Sequence, residues 1–217
     1  MRLPILAAAV SAAVLAAQTP AAAQALGQSC VLSENSADPA ATEPVRRYLA
    51  QRPGHAVTTC SGDRGVSYQA MSPVRVEAGV CRMSVRRYTE AGLAAAGGED
   101  GGPGAFEFMA EPDGGECPAR GKGRWIAVTD VAPPEFARIS RFAAEIARGG
   151  RAARDGACRK REDKLRRLAQ GHALISVLRD GEGAYVIRLL RSGMGYAVRI
   201  ELTPEGACVR DYGQFIL

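Results

Sequence analysis

The sequence predicts an α+β protein in which antiparallel β-meanders carry helices packed on one face. Residues 55–88 and 172–212 alternate apolar and polar positions with period two. Residues 134–148, between them, place their apolar side chains at helical spacing. Six cysteines behind an N-terminal leader add a third observation, since that combination points to a small fold cross-linked by disulfides.

The chain opens with Met1-Arg2, an uncharged apolar run from Leu3 to Ala17, a Gln18-Thr19-Pro20 break and then Ala21-Ala22-Ala23-Gln24-Ala25. A basic start, an apolar stretch and an A-x-A site describe a secretory signal peptide over residues 1–25, with cleavage after Ala25 or, as the alternative, after Ala23. The run is shorter than the about 20 apolar residues that span a bilayer, so no transmembrane anchor is expected. Arg2 stands alone, which excludes a twin-arginine signal. Gly27-Gln28-Ser29-Cys30 lies too late, and lacks the aliphatic residue, for a lipid-attachment box. The expected location is periplasmic or secreted.

A first helix-plus-sheet unit is expected over residues 26–91. After a polar lead (Ser33 to Thr42), Pro44 to Gln51 reads as a short helix, with Thr42 as cap, Pro44 in the first turn and Val45, Tyr48 and Leu49 on one face. Pro53-Gly54 ends it. His55–Cys60, Gly65–Met71, Val74–Val76 and Val80–Tyr88 then read as strands separated by short turns. In the last of them Cys81, Met83 and Val85 alternate with Arg82, Ser84 and Arg86, the pattern of a half-buried antiparallel strand.

The Gly-rich stretch 92–104 is the expected connection, and residues 105–217 the second part. Within that part, Ala105–Ala110 and Arg124–Val131 predict a hairpin whose core is filled by Phe106, Phe108 and Trp125. Pro133-Pro134 opens the clearest helix, with Phe136, Ile139, Phe142, Ala143 and Ile146 on one face and Arg138, Arg141, Glu145 and Arg148 on the other. Residues 151–170 continue as a charged helix with a thin seam of Cys158, Leu165, Leu168 and Ala169. The Glu162–Arg166 and Asp163–Arg167 pairs have the spacing that supports an exposed helix. Four further strands follow: His172–Arg179, Ala184–Arg191, Tyr196–Leu202 and Ala207–Tyr212.

Cys30, Cys60, Cys81, Cys117, Cys158 and Cys208 all survive cleavage of the leader and read as three disulfides. There is no C-x-x-C, and the two histidines are distant from any cysteine pair, so no metal site and no cofactor are expected. A short internal match sharpens the pairing. Arg46 to Val57 resembles Arg166 to Leu174 with two gaps, and His55 and His172 fall at the same place in it. Two related helix-plus-four-strand units would then each clasp their own last strand. That predicts Cys30–Cys81 and Cys158–Cys208, with Cys60–Cys117 tying the first unit to the hairpin.

Familiar catalytic patterns fail one by one. Gly123 stands where a Walker loop needs a hydroxyl, Arg191-Ser192-Gly193-Met194-Gly195 is a strand turn, no Ser has a Lys three residues on, and H-E-x-x-H is absent. His55 and His172 follow turn glycines with no carboxylate or hydroxyl near in sequence, which predicts a structural place for both. Glu107 and Asp130 face each other across the predicted hairpin as a conceivable carboxylate pair, with surface ion pairing as the ordinary alternative.

The remaining signal is charge. The chain carries 28 Lys+Arg against 23 Asp+Glu, or +4 without its leader, and eleven of the basic residues fall between Arg138 and Arg167 with only four acids. Arg138, Arg141 and Arg148 on the helix, with Arg75, Arg82 and Arg86 on the first sheet, are the candidate ligand-binding residues, because guanidinium suits phosphate and carboxylate. Aromatic residues are 6% and few of them interleave with the arginines, which argues against nucleic acid. The expected function is therefore a non-catalytic exported binding or structural protein meeting an anionic envelope component or an acidic protein. The alternatives are an envelope hydrolase using a histidine with a carboxylate, and a rigid inhibitor or adaptor presenting the loop Glu111–Gly123.

Overall fold

The computed structural model describes residues 29–34, 38–62, 65–96, 105–120, 124–149, 156–204 and 206–216. The leader, residues 97–104 of the Gly-rich connection and the Gly121–Gly123 segment lie outside the described residues.

In chain order the elements are β1 (Ser29–Glu34), α1 (Glu43–Gln51), β2 (Ala56–Gly62), β3 (Gly65–Met71), β4 (Arg75–Glu77), β5 (Val80–Tyr88), α2 (Glu90–Ala95), β6 (Ala105–Ala110), β7 (Ile126–Thr129), α3 (Pro133–Ala147), α4 (Gly156–Ala169), β8 (Ala173–Gly181), β9 (Ala184–Arg191), β10 (Met194–Thr203) and β11 (Gly206–Ile216). All strands join one 11-stranded sheet in the order β1-β2-β3-β5-β6-β7-β8-β9-β10-β11, with β4 on β5. Every pairing is antiparallel except β7–β8, where Ala127, Val128 and Thr129 lie beside Ser176, Val177 and Leu178 in parallel. A parallel neighbour needs a crossover, and α3 and α4 supply it.

The helices cover one face of this sheet. The apolar stripe of α3 (Phe136, Ile139, Phe142, Ala143 and Ile146) packs with Leu165 and Ala169 of α4 on Val128, Val177, Ile187, Leu189, Val198 and Ile200. Val80 and Met109 of the first half belong to the same core, so the halves are continuous. A second cluster sets Val45, Tyr48 and Leu49 of α1 and Leu93 of α2 on Val57, Tyr68 and Ala70. On the opposite face, Ala56, Met71, Met83 and Val85 are covered by Phe108 and Trp125.

The structure corrects the sequence reading at several points. Ser33 and Glu34, the expected start of the polar lead, belong to the edge strand Ser29–Glu34. Part of the Gly-rich stretch forms α2, whose Leu93 is fully buried and whose Thr89 hydroxyl accepts the Gly92 N–H. Phe106 is 37% exposed at the sheet surface beside Arg87. Leu168 leaves the buried seam of α4, while Glu162 and Arg166 enter it, 1% and 6% exposed, and pair with each other. Asp163 pairs with Arg159.

The disulfide reading is corrected as well. Cys158–Cys208 forms as expected. Cys81, however, joins Cys117, which overturns both Cys30–Cys81 and Cys60–Cys117. The register explains why: Cys81 lies beside Ala110 at the end of β6, so the chain leaving that strand turns back onto β5. Cys60 is also disulfide-bonded, and its partner across the β1–β2 ladder is Cys30. No cysteine is free among the described residues.

Candidate functional site

The two histidine corners share their local construction. α1 and α4 each run into a glycine with positive φ (Gly54 +79°, Gly171 +75°), a conformation that a side chain strains. The next N–H then bonds back to the helix, His55 to Arg52 O at 3.2 Å and His172 to Ala169 O at 3.0 Å. Both imidazoles are buried, and each meets a tyrosine: His55 lies 6.2 Å from Tyr48, edge-on, and His172 lies 5.3 Å from Tyr196. His172 Nδ1 lies 3.3 Å from Gln170 O. Both histidines follow a turn glycine and are buried in an aromatic corner.

The carboxylates read as a pair go separate ways. Glu107 is taken by Arg82, with contacts of 2.8 and 3.0 Å, and Asp130 occupies a positive-φ position whose carbonyl accepts Arg179 Nε at 2.7 Å. Arg179 also reaches Glu135 Oε2 at 2.5 Å, and that carboxylate accepts the Ala132 N–H at the start of α3. Burial alone would raise the Glu135 pKa, but the Ala132 N–H, the Tyr185 hydroxyl and Arg179 outweigh it and hold the carboxyl below its ordinary value. Tyr185 is pushed up to about 12 by burial and by the Glu135 carboxylate. This cluster locks α3 onto β8 and β9 and is closed to solvent at the tyrosine, which is fully buried.

The loop after β6 lies on the sheet. Cys117 anchors it to β5, and the Trp125 indole N–H donates to Ala119 O at 3.2 Å. Arg120 donates to Gly54 O at 2.5 Å and sits 3.5 Å from Glu34. One guanidinium thus ties the loop to the α1–β2 turn and to edge strand β1. The loop tip, Asp113 to Glu116, is a tight exposed turn.

The six candidate arginines fall into two groups. Arg82 is committed to Glu77 and Glu107; burial works against its charge, but the two carboxylates win and raise its pKa. Arg86 is half-buried opposite Ala70, on the face that carries α1 and α2, and Arg138 donates to the carbonyls of Thr203 and Gly206, holding the β10–β11 turn. These three have structural partners or places. Arg75 is exposed on β4, while Arg141 and Arg148 are exposed on α3. The neighbouring helix adds residues that were counted but not singled out in the sequence: Lys160, Lys164 and Arg167 of α4 are all exposed. Their signal was present as an i,i+3/i+4 cationic row on the helix. Among exposed residues of the two helices, Asp163 is the acid. The α3–α4 layer therefore presents a cationic outer surface over an apolar inner one.

Among the described residues, no cluster of His, Cys, Asp and Glu is arranged to hold a metal ion, and no helix is long and apolar enough to cross a membrane. No family model, no curated protein and no solved structure matches the chain.

Proposed function

We propose that this is an exported, disulfide-stabilised binding protein without catalytic activity, which holds an anionic component of the cell envelope on the outer surface of α3 and α4. One observation carries the reading. Residues 138–167 hold eleven basic and four acidic side chains, while the rest of the chain has seventeen basic against nineteen acidic. A net charge concentrated in one stretch of the chain makes a local field that the overall charge of +5 understates. Arg141, Arg148, Lys160, Lys164 and Arg167 supply the contacts, with Arg75 further away; Arg82, Arg86 and Arg138 support the framework. The chain works in the periplasm or medium after loss of residues 1–25. The corresponding helix–glycine–histidine–strand corners at Gly54-His55 and Gly171-His172 support descent of its two helix-plus-sheet units, residues 26–91 and 105–217, from one ancestor.

Dextran sulfate is a suitable probe of the charged surface. The protein recovered after export should begin at Leu26 and bind dextran sulfate at low ionic strength, weakening steeply as salt rises. Reversing Arg141→Glu, Lys164→Glu and Arg167→Glu together should reduce the affinity at least tenfold with the circular dichroism unchanged. Equal binding by the triple variant, or no binding by the parent protein, would overturn the reading.

A further inference from the structure

The lower end of the second half, where α3, α4, β9 and β11 finish, is built as one rim. Gly171 N–H, in the turn after α4, donates to Ala147 O at the end of α3, 2.9 Å away. Arg191 reaches Gln170 O in the same turn at 3.3 Å. Arg191 is the register partner of Met194, and Met194 that of Ile216. These contacts bring the ends of both helices, the β9–β10 turn and the end of β11 into one surface.

Two kinds of side chain occupy it. Leu168, Met194 and Ile216 are 41%, 46% and 81% exposed. Arg148, Lys164, Arg167 and Arg191 are exposed around them, and Lys164 stands one helical turn before Leu168. The opposite end of the same half carries both signs: Asp130, Asp180 and Glu182 are exposed there, Asp180 pairs with the exposed Arg199, and Arg138 holds the β10–β11 turn.

We infer that this rim is a membrane-docking surface that seats Leu168, Met194 and Ile216 in the interface of an anionic bilayer while Arg148, Lys164, Arg167 and Arg191 meet its headgroups. The inference rests on the reading of the helix layer as an anion-binding face and narrows its partner to a lipid surface. A dissolved polyanion needs the cations alone. Aliphatic side chains ringed by cations match the layered chemistry of a bilayer interface, where acyl chain lies just beneath phosphate. The long stems of lysine and arginine let their charges remain at headgroup level while the neighbouring apolar groups go deeper. The four rim cations give this surface charge complementarity to an anionic membrane.

The test uses the exported form and flotation with vesicles of phosphatidylcholine, with and without phosphatidylglycerol. The protein should float with the anionic vesicles and remain behind with the neutral ones. Leu168→Ser with Ile216→Ser should lower vesicle affinity at least tenfold yet leave dextran sulfate binding intact, whereas Lys164→Glu with Arg167→Glu should weaken both. An Ile216→Trp variant should be quenched by brominated lipid beyond the level set by Trp125 in the parent protein. Unchanged vesicle binding by the serine variant, or an unquenched tryptophan, would overturn membrane docking and leave the anion-binding reading standing. Loss of dextran sulfate binding in the parent protein would remove that reading itself. Binding to dextran sulfate but to neither vesicle would assign the face to a soluble polymer or an acidic protein and would also overturn the docking inference.

Discussion

Strands β2 and β3 are packed on both faces, by α1 and α2 on one side and by Phe108, Trp125 and the loop after β6 on the other, whereas β7–β11 carry α3 and α4 on one side only. The reverse face of the second half shows Leu178, Arg199 and Asp211 exposed, with Ser176, Val186 and Arg188 half-buried. The difference follows from helix length. α1 and α2 have 9 and 6 residues, against 15 and 14 in α3 and α4. Short helices bury little apolar area, so the first half gains a second layer. Long helices bury a full stripe, and one layer suffices.

The disulfides follow the same division. Cys81–Cys117 fastens the extra cover to the first half, while Cys158–Cys208 fastens the helix layer to edge strand β11. That edge is also closed by side chains: Arg161 of α4 donates to Arg210 O at 2.6 Å, and Asp211 Oδ1 accepts the Tyr212 N–H at 2.8 Å. The register with β10 shifts between Arg199 and Ile200, where Arg210 of β11 is the extra residue. Edges blocked in this way resist pairing with a second chain.

The strongest challenge to this comparison is Phe142→Asp. Phe142 is 4% exposed in a core that also holds Val80 and Met109 of the first half. Truncating a buried phenylalanine costs about 3–5 kcal/mol, and burying a carboxylate adds to that. The expected result is loss of the whole fold in one transition, seen as simultaneous collapse of far-UV circular dichroism and Trp125 emission. A variant whose β2–β3 amides stay protected against hydrogen exchange would show that the halves fold separately.

Removing the bridges is expected to be less severe and more local. The closed loops span 36 and 50 residues, so chain-entropy arguments give each bridge on the order of 4 kcal/mol. Their structural consequences should differ. Cys81→Ser with Cys117→Ser should loosen the reverse cover and shift Trp125 emission to the red. Cys158→Ser with Cys208→Ser should leave that emission alone and speed exchange in α4. Identical spectral changes in the two variants would break the assignment of one bridge to each cover.

Much of this arrangement was legible in the sequence wherever a segment carries its own period. The expected helix 134–148 is α3 within a residue at each end, and of the pairings expected from the internal match Cys158–Cys208 forms while Cys30–Cys81 and Cys60–Cys117 do not. β1 was missed because only Leu32 and Ser33 of its described side chains turn inward, too few for a visible alternation. The other pairings required knowing that β6 returns beside β5, a long-range fact that local pattern does not hold. The buried Glu162–Arg166 pair has the spacing of a surface ion pair, so spacing alone misplaced it. At the candidate site, the sequence showed the concentration of charge; three of the arginines chosen there serve as framework, and the exposed row on α4 emerges only once the inner face of that helix is known.

The smallest expected effects concern pH and should be confined to the second half, at the junction of α3 with β8 and β9. Glu135 has a folded pKa below its ordinary 4.5, so its contribution to stability is present above that value and is lost as pH falls through the folded one. Tyr185 has a folded pKa raised from 10 to about 12, so its contribution is complete below pH 10 and is lost as pH rises toward 12. Stability attributable to the pair is therefore level across the neutral range and declines at both ends. Glu135→Gln should flatten the acid limb of a urea-midpoint profile, and Tyr185→Phe the alkaline limb, each also weakening the other limb in part because the two groups shift one another. Hydrogen exchange should locate both effects in α3 and β8 while β2 and β3 stay unaffected. Acid and alkaline limbs unchanged in both variants would mean that other groups set the pH profile, and that this junction contributes packing alone.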